Sequence, residues 1–246
     1  MRALLNLIQI EFLKLRRKKF VAGMLFAALI MPVIAVFYFG MLDTKELDPI
    51  KFYKWATLSY TPWILLPVVL GVLSTLLMYD EHQNDMLKQL WVVPIGKLAY
   101  FFSKFFVMLM YSNVFMMISA IGSILAGLLS GLIPLTAPSL LFLFGKCLEI
   151  SLLAPAAMLP VLALAAAQRN YLLPVGFTII YTFFGFILLM TNMYLHPLSA
   201  MTAILVRNDP VVILNEPINT GKAFLVLGIW SLISTIGAGF ALRRSL

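Results

Sequence analysis

Reactive and metal-binding side chains are scarce in this sequence of 246 residues. Its single cysteine, Cys147, excludes a disulfide within the chain. The two histidines, His82 and His196, lie far apart, and no CxxC pair occurs, which argues against a metal site built from these ligands. The phosphate-binding GxxxxGK(S/T) motif and the hydrolytic GxSxG and HExxH motifs are also missing. We therefore expect no catalytic residue, no metal and no cofactor bound by this chain.

Charged residues are also few, at 11% of the chain, whereas 62% of the residues are apolar. Ordinary soluble domains are about half apolar and about a quarter charged. A soluble fold of this length could not hide so much apolar surface, because much of its surface must stay exposed. The composition therefore predicts an all-α polytopic membrane protein, with residues 1–246 forming a single transmembrane domain, and it argues against a soluble enzyme.

Six apolar stretches are each long enough to cross a hydrocarbon core of ~30 Å as a helix. The predicted spans cover residues 20–42, 62–79, 100–125, 140–167, 171–194 and 222–242. The first stretch is too long for a signal peptide and has no clean cleavage site, so we expect it to be retained.

Most basic residues lie on one side of these spans. The N-terminal segment, residues 80–104, Arg169 and the C-terminal end hold 12 of the 18 lysines and arginines, whereas the opposite side has equal numbers of basic and acidic residues. Because basic residues collect on cytoplasmic segments, both termini are predicted to be cytoplasmic. The net charge of +8 is then explained by topology, and we expect no nucleic-acid partner.

Residues 1–19 predict an amphipathic helix that lies in the membrane interface. The apolar residues at helical spacing are Leu4, Leu5, Ile8, Phe12 and Leu15. The basic residues that would face anionic headgroups are Arg16, Arg17, Lys18 and Lys19.

The fourth apolar stretch carries one pair of charges, Lys146 and Glu149, which share a helix face and can form an ion pair. If the span begins near Ile150, both charges lie at the outer interface. Alternatively, they form a polar contact for a substrate or a neighbouring subunit.

Two other function classes are disfavoured by the polar residues of the spans. Gradient-driven secondary transporters usually carry buried ionisable residues, and such residues are scarce here. An intramembrane enzyme is also disfavoured, because isolated Ser and Asn residues in spans more often bridge helices than catalyse reactions.

Residues 80–93 follow the second span on the predicted cytoplasmic side. Asp80, Glu81 and Asp85 would lie near the start of a short helix, where acidic side chains suit the helix dipole. Pro94 would end this helix, and the alternative interpretation of the segment is a solvated loop.

The order of these features resembles the type-2 ABC-transporter permeases. The matching residues are Glu81, Leu90, Pro94, Lys97 and Lys104. The resemblance implies that residues 80–93 form a cytoplasmic coupling helix that docks into an ATPase subunit. The implied coupling residues are Asp80, Glu81, Asp85, Lys88, Leu90 and Pro94. It also implies that residues 1–19 form the interfacial connecting helix and that residues 195–221 form an extracellular re-entrant segment.

Within that family, Glu11, Phe12, Lys14 and the basic run after them look like the permeases of lantibiotic-immunity and bacitracin-export systems. The resemblance implies an exporter permease in the bacterial plasma membrane that expels an amphipathic substrate, such as a lantibiotic or another antimicrobial peptide. Two copies of a separate ABC ATPase would bind ATP and Mg, and a second permease chain, identical or paralogous, would complete the pathway. The alternatives are an ion-gradient-driven secondary transporter and an ABC permease for an unrelated lipid or small molecule.

Overall fold

The computed structural model describes residues 2–41, 47–83, 96–207 and 217–244, and the regular structure in these ranges is helical, without a strand. Six helical stretches in the described ranges are long and apolar enough to cross a membrane. They are Lys19–Met41, Pro49–Glu81, Lys97–Leu129, Ala137–Ala167, Leu172–Thr191 and Thr220–Arg243. The predicted all-α polytopic membrane fold is therefore confirmed.

The described helices are numbered in chain order. They are α1 (Arg2–Arg16), α2 (Lys19–Met24), α3 (Ile30–Met41), α4 (Pro49–Tyr53), α5 (Leu66–Gln83), α6 (Lys97–Leu129), α7 (Ala137–Ala157), α8 (Leu159–Ala167), α9 (Leu172–Thr191), α10 (Pro197–Val206) and α11 (Thr220–Arg244). A 3₁₀ segment, Leu25–Leu29, joins α2 to α3, and π-helical segments at Lys54–Leu58 and Thr61–Leu65 connect α4 to α5. Helices α7 and α8 together form the fourth span.

The second span begins at Pro49, earlier than the predicted start at residue 62. The Asp48 carboxylate accepts the backbone N–H of Ile50 at 3.1 Å and caps this helix, whose first residue is Pro49. Phe52 and Tyr53 are fully buried. Charged residues in this segment lower its average hydropathy, so hydropathy alone does not reveal that one face of the segment is buried.

The far end of the second span also differs from the prediction, because α5 continues without a break through Gln83. Asp80 and Glu81 therefore belong to the last turn of this long helix and do not start a separate one. The predicted coupling residues Asp85, Lys88, Leu90 and Pro94 lie outside the described residues.

The fourth span is broken at Met158, between Pro155 and Pro160, because neither proline has an N–H to continue the helical ladder. The backbone N–H of Val161 bonds the Met158 carbonyl instead of the Ala157 carbonyl. The hydroxyl of Tyr181, on α9, donates to the Ala157 carbonyl at 2.6 Å. The fifth span thus satisfies a backbone group at the break.

The second and fourth spans lie at the centre of the bundle, with 67% and 61% of their most apolar windows buried. The corresponding values are 28% for the first span and 22% for the sixth span. These outer spans present exposed apolar side chains, such as Phe26, Phe37 and Leu232, which suit contact with lipid.

Two glycines allow close approaches to α9 and α10. A Cβ atom on Gly71 would collide with the side chain of Thr178, and one on Gly185 would lie 2.7 Å from Cβ of Leu198. Small residues let membrane helices pack closely in this way. Helix α10 follows within the predicted re-entrant segment, and its residues 197–205 are all buried.

Candidate functional site

A cluster of ionisable side chains joins three helices at the end of the bundle that carries α1. Glu11 and Lys14 lie on one face of α1, one turn apart. Glu81 lies in the last turn of α5, and Tyr100 and Lys104 lie one turn apart near the start of α6. These five residues, Glu11, Lys14, Glu81, Tyr100 and Lys104, are called the Glu81 cluster below.

Lys104 is at the centre of the Glu81 cluster. Its Nζ atom lies 2.8 Å from Oε1 of Glu81 and 2.5 Å from Oε2 of Glu11. Lys14 bonds the other carboxylate oxygen of Glu11 at 3.0 Å and also donates to Oε1 of Glu81. The Tyr100 hydroxyl donates to Oε2 of Glu81. Each carboxylate therefore binds both ammonium groups.

The Glu81 cluster is electrically balanced, and all of its members are buried except Lys14, whose side chain is partly exposed at the edge. Lys104 is 0% exposed, and Glu11 and Glu81 are 3% and 4% exposed. Two carboxylates face two ammonium groups, so no net charge is taken out of water. Charges buried at this depth are stable only when they are paired and hydrogen-bonded, and removing one partner from a buried pair costs about 3–5 kcal/mol. The cluster therefore holds α1, α5 and α6 in one arrangement.

Lys14 lies outside the spans, and its pKa reflects the charges of the Glu81 cluster. Burial alone would lower the pKa of this lysine, but its hydrogen bond to Glu81 and the negative charges of Glu81 and Glu11 outweigh that effect. The pKa of Lys14 is therefore raised above its ordinary value, and the side chain stays charged at neutral pH. At the edge of the cluster, a further ion pair joins Lys18 to Asp80.

Several residues identified from the sequence thus meet in space. Glu81 and Lys104, identified by their order along the chain, contact each other and bind Lys14 and Glu11 of α1. Asp80 pairs with Lys18, whereas Arg16, Arg17 and Lys19 are exposed. Tyr100 was missed, although its position one helical turn before Lys104 was the available signal.

A second group of charges lies on the fourth span. Lys146 Nζ lies 2.9 Å from Oε2 of Glu149 and donates to the Leu205 carbonyl at 2.8 Å. Arg207 also pairs with Glu149 and donates to the Ile204 carbonyl at 2.8 Å. Lys146, Glu149 and Arg207, called the Glu149 cluster below, therefore hold the C-terminal end of α10, where cations suit the helix dipole. The predicted ion pair between Lys146 and Glu149 is present, whereas their contact with a substrate or a neighbouring subunit stays a prediction.

Within the described ranges, no three His, Cys, Asp or Glu side chains are grouped so that they could hold a metal ion. The free thiol of Cys147 is buried.

Comparison with known proteins gives one family match. Residues 7–185 match the family model described as ABC-2 family transporter protein. The match runs from α1 into the fifth span and includes every residue of the Glu81 cluster. No curated protein sequence matches the chain. Because the matched region covers more than half of the sequence, the chain belongs to the ABC-2 transporter family, whose members are membrane permease subunits of ABC transporters.

Proposed function

We propose that this permease is driven by a separate ATPase that docks on residues 80–93, and that the Glu81 cluster passes the movement of that segment to the spans. The supporting observation is that Glu81 and Lys104 lie on either side of residues 84–95 and bind each other at 2.8 Å. A force applied to the segment would act on both of these helices. Because Glu11 and Lys14 bind the same two side chains, α1 would move with them.

The ATPase-facing residues and the Glu81 cluster have different roles in this coupling. Glu81 is buried and bound within the chain, so it transmits movement and leaves direct contact with the ATPase to Asp85, Lys88 and Leu90 of the coupling segment. Interconversion between two packed arrangements of helices is the usual form of such transmission. Two permease chains, identical or paralogous, and two ATPase copies would form the complete exporter, with ATP and Mg bound by the ATPases.

The substrate that we propose is an amphipathic peptide of the lantibiotic or bacitracin type, which the exporter would remove from the plasma membrane of a bacterium. The support is the resemblance carried by Glu11, Phe12 and Lys14, two of which the structure places in the Glu81 cluster. The orientation with both termini in the cytoplasm is supported by the basic residues of α1, Lys97 and Arg243, which would face the cytoplasm together.

The test compares two classes of variant after co-expression with the partner ATPase. Asp85→Ala with Lys88→Ala should abolish co-purification of the ATPase. Lys104→Gln should keep co-purification but lose the resistance to bacitracin or a lantibiotic that the wild-type exporter confers. Lys51→Gln, an exposed lysine at the opposite end of the second span, serves as the control and should behave as wild type in both assays.

Retained co-purification in the Asp85→Ala, Lys88→Ala variant would overturn the docking assignment. Wild-type resistance in a folded Lys104→Gln variant would overturn the role of the Glu81 cluster. If the wild-type exporter gave no resistance to any such peptide, a peptide substrate would be rejected. The alternative would then be that this permease transports an unrelated lipid or small molecule.

A further inference from the structure

The break in the fourth span separates two halves that are held in different ways. In the first half, α7, the Ser151 hydroxyl donates to the side-chain oxygen of Asn113, on α6, at 2.9 Å. Lys146 and Glu149 bind the C-terminal end of α10 through the Glu149 cluster. Polar bonds to two neighbouring elements thus fix the position of α7.

The second half of the span, α8, makes no bonds of this kind. Its sequence, Leu-Pro-Val-Leu-Ala-Leu-Ala-Ala-Ala, contains only apolar side chains, and most of them are small. Helix α8 packs against α5 and α11. Because contacts between apolar side chains are non-directional, they resist sliding less than hydrogen bonds do. Helix α8 is therefore free to shift as a unit while α7 stays in place.

Met158, between the two halves, has the features of a hinge. Its φ and ψ angles are −93° and 2°, whereas residues inside an α-helix have ψ near −42°. Pro160 has no N–H to donate to the Ala156 carbonyl, and the Val161 N–H bonds the Met158 carbonyl at 3.1 Å. Two backbone bonds that would tie α8 to α7 are therefore missing, so a rotation at Met158 breaks few hydrogen bonds.

One side chain from a neighbouring helix favours the bend at Met158. The Tyr181 hydroxyl, on α9, donates at 2.6 Å to the Ala157 carbonyl, which is the helical acceptor that Val161 does not use. The Tyr181 ring lies 4.2 Å from the ring of His196, between their centres, at the start of α10. Because α10 is bound to α7, this contact places Tyr181 with the fixed half of the span. In a straighter span, the Val161 N–H would compete with Tyr181 for the Ala157 carbonyl.

We propose that α8 swings about Met158 between the observed bend and a straighter position, and that the bond from Tyr181 to the Ala157 carbonyl is a latch that favours the bend. Hinges are commonly a few residues at the ends of helices, which absorb the change in φ and ψ. Helix α8 packs against α5, whose last turn carries Glu81, so movement of α5 would reach the fourth span. This last consequence alone rests on the proposed coupling.

The experiment measures the distance between spin labels on α7 and α8 by pulsed electron paramagnetic resonance, with the full chain in detergent. Leu141→Cys and Ala167→Cys place the labels at exposed positions, and Cys147→Ala removes the buried native thiol. A straight helix would separate the two labelled backbones by about 39 Å, and a bend shortens this distance. No ATPase is present, so the result tests the hinge whether or not the coupling proposal holds.

Two variants and one control test the latch and the hinge separately. Tyr181→Phe removes the hydroxyl and keeps the ring against His196. The ratio of the longer to the shorter distance should rise about fivefold, because losing one net hydrogen bond changes an equilibrium by about that factor. Pro155→Ala with Pro160→Ala restores two N–H groups, so it should also favour longer distances. Tyr171→Phe removes an exposed hydroxyl just before α9 and should leave the distances unchanged.

Unchanged distances in the folded Tyr181→Phe protein would overturn the latch. If the distances also stayed the same in the Pro155→Ala, Pro160→Ala variant, the break would be a fixed bend and the hinge would be rejected. An equal shift in Tyr171→Phe would mean that the loss of any tyrosine hydroxyl loosens the fourth span, which would contradict the specific role of Tyr181.

Discussion

The Nζ atom of Lys104, near the start of the third span, lies 2.8 Å from Oε1 of Glu81, in the last turn of the second span. Glu11 from α1 binds Lys104, and Lys14 from α1 binds Glu81, so one largely buried group of charges joins three helices. This relationship underlies the proposed coupling, and its energetics can be measured without a partner or a substrate.

Replacing Lys104 alone should destabilise the protein strongly. Lys104→Met leaves Glu11, Lys14 and Glu81 with a net negative charge in a buried site, which should lower the free energy of unfolding by about 3–5 kcal/mol. Adding Glu81→Gln restores neutrality, so the double variant should lose much less than the sum of the two single variants. Equilibrium unfolding in detergent measures all three, with Lys51→Met as the exposed control. Additive losses would show that the two side chains are not coupled.

The contact between Gly71 and Thr178 should be intolerant of added volume. Gly71→Val would force the second and fifth spans apart, and overpacking of this kind costs about 1–3 kcal/mol. Gly176→Val is the matched control on the fifth span, because a Cβ atom there would meet nothing within 4 Å. Thermal unfolding should show a clear loss for the first variant and little change for the second. Equal losses would mean that the close approach is not the cause.

The Glu149 cluster should determine how firmly α10 is held. Glu149→Gln removes the negative charge that pairs with Lys146 and Arg207, so the C-terminal turn of α10 should open more often. Hydrogen exchange of a peptide covering residues 197–207 should then be faster by about tenfold, equivalent to roughly 1.4 kcal/mol. Lys222→Gln, an exposed change elsewhere, is the control. Unchanged exchange in Glu149→Gln would remove the cluster from this role.

Acid should weaken the N-terminal end of α10. Burial lowers the pKa of His196 to about 4, and its neutral Nδ1 accepts the N–H of Leu198 at 3.2 Å. Between the ordinary value of about 6.5 and about 4, the unfolded chain binds more protons at this histidine than the folded chain, so its contribution to stability falls as the pH falls. His196→Asn keeps a cap acceptor without titrating. Thermal midpoints from pH 7 to pH 4.5 should fall more steeply for wild type than for His196→Asn, and equal slopes would contradict this assignment.

The span pattern could be predicted from hydropathy, because lipid contact requires long apolar helices whatever their tertiary packing. The start of the second span could not, since Lys51 is exposed while Phe52 and Tyr53 are buried, and an average over the segment merges the two faces. The break at Met158 was not predicted, although Pro155 and Pro160 were a signal for it. The bond from Tyr181 at this break depends on how α9 packs.

The candidate site was predictable only in part. The order of Glu81 and Lys104 around the connecting segment identified both residues, and the opening of the chain identified Glu11 and Lys14. Their meeting in one buried cluster depends on α1 folding back against α6, which spacing along the chain does not specify. Lys146 and Glu149 were identified as a pair, whereas their contact with Arg207 and the Leu205 carbonyl joins residues far apart in sequence.

The most direct test of the coupling proposal is hydrogen exchange of the second and third spans in the complex with the ATPase, with and without bound ATP. This measurement needs no known substrate. In the wild-type complex, ATP should change the exchange of peptides covering residues 66–83 and 97–110. In a folded Lys104→Gln complex that still contains the ATPase, this ATP-dependent change should be lost. The same change in the variant as in wild type would contradict transmission through the Glu81 cluster.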